Sequence, residues 1–124
     1  MLVHEELTET VIGAAIEVHR HTGPGLLESA YEKCLCKELE IRGIPFRKQV
    51  PIEITYKDIL LDCGYRLDLL VDEKVAVEIK SVQQLENIHQ AQLMTYMKLG
   101  GWNVGLLMNF NSEYMKQGII RRVL

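Results

Sequence analysis

Basic charge is in short supply in this chain. Its 14 Lys and Arg face 17 Asp and Glu, a formal net charge of −3, and the nearest approaches to a basic run are Arg47-Lys48 and Arg121-Arg122. That balance argues against a dedicated, tight nucleic-acid clamp, whose affinity comes from Lys and Arg neutralising phosphates. It leaves room for an enzyme that meets a polyanion through an acidic, cation-holding site. Cysteine is scarce as well: Cys34, Cys36 and Cys63 are odd in number and form no Cys-x-x-Cys. A disulfide framework and a zinc centre are therefore disfavoured, and a reduced, intracellular setting is the natural reading. No apolar stretch approaches the roughly 20 residues that span a bilayer. The start, with His4-Glu5-Glu6, lacks the plan of a signal peptide. The expectation is a cytoplasmic protein without membrane contact. Repeats, low-complexity segments and linkers are missing too. What is there is 124 residues, 48% hydrophobic and 25% charged, which suits one domain over 1–124 with a core of its own.

The most informative stretch runs from Tyr65 to Ser81. Two apolar runs, Leu67 to Val71 and Val75 to Ile79, flank the turn-like Asp72-Glu73-Lys74, a strand–turn–strand pattern. Each run carries an acid among residues suited to burial: Asp68 between leucines, Glu78 between Val77 and Ile79. Alternation puts Ala76, Glu78 and Lys80 on one face, and antiparallel pairing brings Asp68 beside Glu78. Two carboxylates on a half-buried sheet repel and desolvate each other, at a cost of several kcal/mol, unless a cation joins them. Lys80 supplies one positive charge; a divalent metal supplies two.

Elsewhere the periodicity predicts a helix from about Glu5 to His19 and a break at His21-Thr22-Gly23-Pro24-Gly25. A second helix is expected from near Leu26 to Arg42, stopped at Gly43. Glu28 sits in its first turn, where an acid suits the helix dipole, and Tyr31 lies one turn on. Pro45 to Tyr56 alternates as one half-buried strand, Lys57-Asp58 reads as a hairpin turn, and a strand restarting near Ile59 is expected to carry through to Asp68. A third helix over Leu85 to Leu99 has an expected inward stripe of Leu85, Ile88, Gln92, Tyr96 and Leu99. In it Gln92 and Tyr96 bring two polar tips to one face, one turn apart. Trp102 to Phe110 reads as a strand buried on both faces, suited to parallel pairing after a helical crossover, and Gly118 to Leu124 as a final edge strand.

Asp68 followed by Glu78-x-Lys80 on the next strand resembles the active-site signature of the PD-(D/E)XK nuclease superfamily. Gly25-x-x-Glu28-x-x-Tyr31, directly after a Gly-Pro-Gly turn, is similar to the signature of its GxxExxY branch. Gln92-x-x-x-Tyr96 matches a motif of RecB-like members. The resemblance spans nearly the whole chain and implies a restriction-endonuclease-like α/β (α+β) fold: an αβββαβ core, its mixed sheet flanked by helices, with an additional N-terminal helix. It also implies a catalytic set of Glu28, Asp68, Glu78 and Lys80, with Gln92 and Tyr96 positioning the substrate. Mg²⁺, replaceable by Mn²⁺, would be held by Asp68, Glu78 and the Ile79 carbonyl, with Glu28 as a further ligand. One departure stands out: Arg66-Leu67 occupies the place where other branches often carry proline before the Asp, and it does not touch the chemistry.

The activity so implied is metal-dependent hydrolysis of nucleic-acid phosphodiesters, with DNA ahead of RNA as the substrate. The competing reading is a non-catalytic module that keeps the fold and binds nucleic acid or protein. Either way the charge balance predicts weak binding by a lone monomer, and hence a homodimer or a protein partner that delivers the substrate.

Overall fold

The computed structural model describes residues 3–124. The chain runs through α1 (Glu5–Thr22), α2 (Glu28–Ile41), β1 (Phe46–Pro51), β2 (Ile54–Tyr56), β3 (Ile59–Leu61), β4 (Arg66–Val71), β5 (Val75–Lys80), α3 (Asn87–Gly100), β6 (Val104–Asn109), a 3-10 turn at Met115–Gly118, and β7 (Ile119–Val123). Five strands form one sheet in the order β1-β4-β5-β6-β7. All its pairings are antiparallel except β5 with β6, which run parallel around the α3 crossover. Helices flank a mixed sheet in the expected restriction-endonuclease-like arrangement, and α1 is the additional helix.

Two apolar layers hold the sheet. On one face Val11, Ala14, Ala15 and Val18 of α1 and Tyr31, Leu35 and Leu39 of α2 pack on Leu69, Val71, Val75, Val77 and Ile79. On the other, Leu93, Tyr96 and Met97 of α3 cover Leu67, Leu70, Ala76 and Leu107. With helices on both sides, β5 and β6 are buried along their length apart from the partly exposed Lys80. That is why they read as continuous apolar runs. Gly105 lets α3 sit close: a Cβ there would meet Met97 Sδ at 2.5 Å.

Three expectations need correction. Pro45 to Tyr56 is two strands, because Pro51 ends β1 and the chain turns away at Ile52, whose N–H still donates to the Tyr65 carbonyl at 2.9 Å. The strand from Ile59 likewise stops at Leu61, before Gly64 at φ 73. β2 and β3 thus form a ribbon of their own, separate from the main sheet. It is closed at Lys57-Asp58, where φ is 44 and 69, as a primed hairpin turn requires. The inward stripe of α3 is the third: Leu93, Tyr96 and Met97 face the sheet, while Ile88 and Leu99 are exposed.

Candidate active site

The site forms where the β4–β5 ladder comes apart. Regular pairing stops at Leu69↔Val77. One residue further along each strand are Asp68 and Glu78, and their side chains take over the bonding. Asp68 Oδ2 accepts the Ile79 N–H at 2.8 Å, and Glu78 Oε1 accepts the Asp68 N–H at 3.0 Å. Each carboxylate thus spends one oxygen on the opposite strand and keeps the other for a cation or a proton. A residue's N–H and C=O project to the same side of a strand. The Ile79 carbonyl therefore faces the gap along with its N–H.

The distortion extends into β1. Lys48↔Leu69 and Val50↔Leu67 keep a constant register, yet the bridge between Gln49 and Asp68 is missing. Gln49 has φ 52. At this level both strands reverse their alternation. Phe46 packs on the α1–α2 layer and Val50 in the α3 layer, and Leu69 and Leu67 divide the same way. The flip turns Asp68 out of the core, to be only half-buried.

Charge accumulates around the gap. Glu78 is 4% exposed. Burial first, and then the nearby Asp68 charge, pushes its carboxyl up to about 8. Burial likewise raises Asp68, with the Ile79 N–H and Lys80 opposing. Lys80 Nζ lies 3.8 Å from Glu78 Oε2, too long for a hydrogen bond but close enough to offset part of the negative charge. Its backbone is fixed by the Phe110 N–H, which donates to the Lys80 carbonyl at 2.9 Å. Buried Asn109 then pins the following loop by bonding both the N–H and the carbonyl of Val82.

Glu28 arrives from the start of α2. Tyr31 anchors the preceding loop: its hydroxyl donates to the Gly23 carbonyl at 2.6 Å and accepts the Leu26 N–H at 3.1 Å, while its ring stacks on Phe110. Gly25, at φ 105, makes the turn that only glycine takes easily. Ser81 Oγ donates to the Leu26 carbonyl at 2.6 Å, tying the loop to the end of β5. Glu28, exposed, reaches toward the Ser81 N–H at 3.4 Å, and its charge helps raise both Asp68 and Glu78. Gln92 donates to the Tyr96 hydroxyl at 3.2 Å. Burial raises the Tyr96 phenol first, and the Glu78 charge second.

The predicted residues thus gather in two groups on either side of Asp68. A pocket of about 200 Å³ is lined by Glu28, Ser29, Glu32, Gln49, Asp68 and Ile79. Glu78, Lys80, Gln92 and Tyr96 lie outside that lining, toward α3. Two members of the pocket wall are new. Gln49 reads in sequence as a solvent-facing residue of an alternating strand. Glu32 follows Glu28 by one helical turn, the one signal that points to it. Among the described residues no three His, Cys, Asp or Glu side chains cluster as a ready metal cage. A buried Glu78 and a half-buried Asp68, each with one oxygen not committed to the opposite strand, beside a backbone carbonyl, nevertheless fit a hard divalent cation. Mg²⁺ in particular binds through one or two carboxylates and keeps several waters.

A sequence model of the PD-(D/E)XK nuclease superfamily matches residues 5–123. No curated protein and no solved structure matches the chain significantly.

Proposed function

The chain belongs to the PD-(D/E)XK nuclease superfamily, whose members generally use divalent metals, and we propose that it hydrolyses nucleic-acid phosphodiesters in a Mg²⁺-dependent reaction. The observation that carries this reading is the crossed pair of bonds, Asp68 to the Ile79 N–H and Glu78 to the Asp68 N–H. It leaves a buried and a half-buried carboxylate side by side, mutually repelling when both are ionised, with their remaining oxygens suited to a cation. Asp68, Glu78 and the Ile79 carbonyl hold Mg²⁺, or Mn²⁺ in its place, with Glu28 at the pocket edge as a further ligand. The metal supplies Lewis-acid polarisation of the phosphate and a more acidic water. Lys80 Nζ orients the attacking water and offsets charge growing on the phosphoryl oxygens. Gln92 and Tyr96, bonded to each other on the α3 side, position the scissile phosphate. The loop-anchoring roles of Gly25 and Tyr31 support assignment to the GxxExxY branch, since each serves to place Glu28. DNA is preferred over RNA as the substrate, and the setting is cytoplasmic.

The formal charge of −3 favours a second reading, a binding module without turnover. Cleavage assays on single- and double-stranded DNA and RNA with Mg²⁺, Mn²⁺ or EDTA separate the two. The expected outcome is divalent-dependent cleavage that is lost in Lys80→Ala. Binding without cleavage under every metal condition, or equal turnover by Lys80→Ala, would exclude the nuclease.

A further inference from the structure

We propose that Gln49 is a positioning residue of the acidic site: anchored by Glu32, its side-chain amide holds the pocket-side oxygen of Asp68 in place for a divalent cation. This rests on the nuclease reading of the site and adds to it two residues, neither of which belongs to the motifs.

The geometry is asymmetric in an informative way. Gln49 Nε2 donates to Glu32 Oε1 at 2.7 Å and to Asp68 Oδ1 at 3.4 Å. The short bond fixes the amide on α2, and the long one only leans on Asp68. Asp68 Oδ2 is committed to the Ile79 N–H, so Oδ1 is the oxygen available to the pocket. A neutral amide steers that oxygen without saturating its lone pairs and without adding a positive charge that would compete with a cation. A lysine in the same place would pair with Asp68 and exclude the metal.

The backbone points the same way. Gln49 sits inside a strand at φ 52, where glycine fits without strain and a long side chain does not. The kink also gives up the Gln49–Asp68 ladder bridge. Gln49 is exposed, so its hydrogen bonds contribute little to folding. Stability therefore does not account for glutamine at this position, whereas orientation of Asp68 does.

The test measures Mn²⁺ binding by calorimetry and electron paramagnetic resonance, with thermal melts in EDTA on the same samples. Gln49→Gly accepts the backbone angle and lacks the amide. Gln49→Asn tolerates the angle but has too short a reach, and it serves as a second variant. Both are expected to melt near the wild-type temperature and to bind Mn²⁺ about 10- to 100-fold more weakly, as losses of residues that orient metal ligands do. Glu32→Ala, which removes the anchor, should lose a similar factor. Glu32→Gln, whose amide oxygen still accepts from Gln49, should retain most of the affinity. The double variant Gln49→Gly/Glu32→Ala should be no weaker than either single one, because the two residues act as one unit. Additive losses, Glu32→Gln as weak as Glu32→Ala, or a Gln49→Gly affinity unchanged from wild type would overturn the inference. Asp68→Asn tells the two failures apart. If it leaves Mn²⁺ binding intact, the cation lies elsewhere and the nuclease site falls together with this inference. If it abolishes binding while Gln49→Gly does not, only the role of Gln49 falls.

Discussion

Glu78 is the residue on which the site's energetics turn. Its carboxyl is raised from 4.5 to about 8, so without metal the folded protein retains a proton that the unfolded chain has released. Between those two values the folded state binds more protons, and stability must fall as pH rises, by about 1.4 kcal/mol per pH unit for one such group. Asp68 and Glu32, also raised by burial, act in the same direction. Glu17 and Glu73, lowered by Arg20 and Arg47, act on the acid side, below the ordinary glutamate range, and so outside this window. In EDTA, denaturant titrations from pH 5 to pH 8 should therefore show declining stability in the wild type. Glu78→Gln, which stays neutral, should flatten that decline and be the more stable of the two at the alkaline end. Saturating Mg²⁺ should reverse the slope in the wild type alone, because it binds the deprotonated pair and only the folded chain presents that pair. Metal-free wild type that gains stability with rising pH would show that Glu78 is already ionised and compensated.

Among the elements, α2 shows how a signature divides between chemistry and support. Of Gly25, Glu28 and Tyr31, only Glu28 approaches the acids; Gly25 turns the chain and Tyr31 binds the turn. Tyr31→Phe keeps the ring on Phe110 but releases the Gly23 carbonyl and the Leu26 N–H. The expected result is a stability loss of about 1 kcal/mol with a larger proportional fall in cleavage, because Glu28 is no longer held. Thermal melts and initial rates on one preparation check this, and a fall in stability with full activity would make the clamp purely structural. The strands bearing Asp68 and Glu78 are legible because an acid breaks each apolar run. The parallel β5–β6 pair was legible because burial on both faces removes alternation. The rest failed for local reasons. A single left-handed residue at Gln49 flips which side chains face inward without changing the register, and period-two patterning is blind to that. The helix α3 forms as its periodicity predicts, but its inward stripe differs because Ile88 and Leu99 are apolar yet exposed, and the observed stripe of Leu93, Tyr96 and Met97 shares only Tyr96 with the expected one. Glu32 and Gln49 were missed because their importance lies in a contact between α2 and β1 that no local spacing encodes.

At the scale of the whole molecule, the acidic site and the acidic balance raise the same difficulty. The candidate site brings Glu28 and Glu32 to the pocket of Asp68, with Glu78 on the neighbouring strand, and the chain as a whole has 14 basic residues against 17 acidic ones. One of its two basic pairs is partly committed, since Arg47 forms a two-pronged ion pair with Glu73 at 2.6 and 2.9 Å. Lys48 remains beside Arg47, and at the opposite edge of the sheet Arg121 donates to the Val3 carbonyl and Arg122 to the Gln90 side-chain oxygen, neutral partners that leave both charges in place. On the proposed reading, a substrate strand crossing the gap would meet Lys80 and the metal there, with no dense basic run to follow beyond them. For about two or three neutralised phosphates, the slope of log affinity against log salt is about −2 to −3 on a duplex, far shallower than for a basic clamp. Binding titrations with Ca²⁺, a hard cation used to support binding without turnover, should give micromolar or weaker affinity for a monomer with such a slope. Sedimentation on the same samples decides what strengthens it. If affinity rises with protein concentration as dimers form, a second copy supplies the missing cations. If the protein stays monomeric and weak, the substrate must be delivered by another protein. Nanomolar binding by a strict monomer with a steep salt slope would contradict the charge argument outright, and would require a phosphate track that the composition does not suggest.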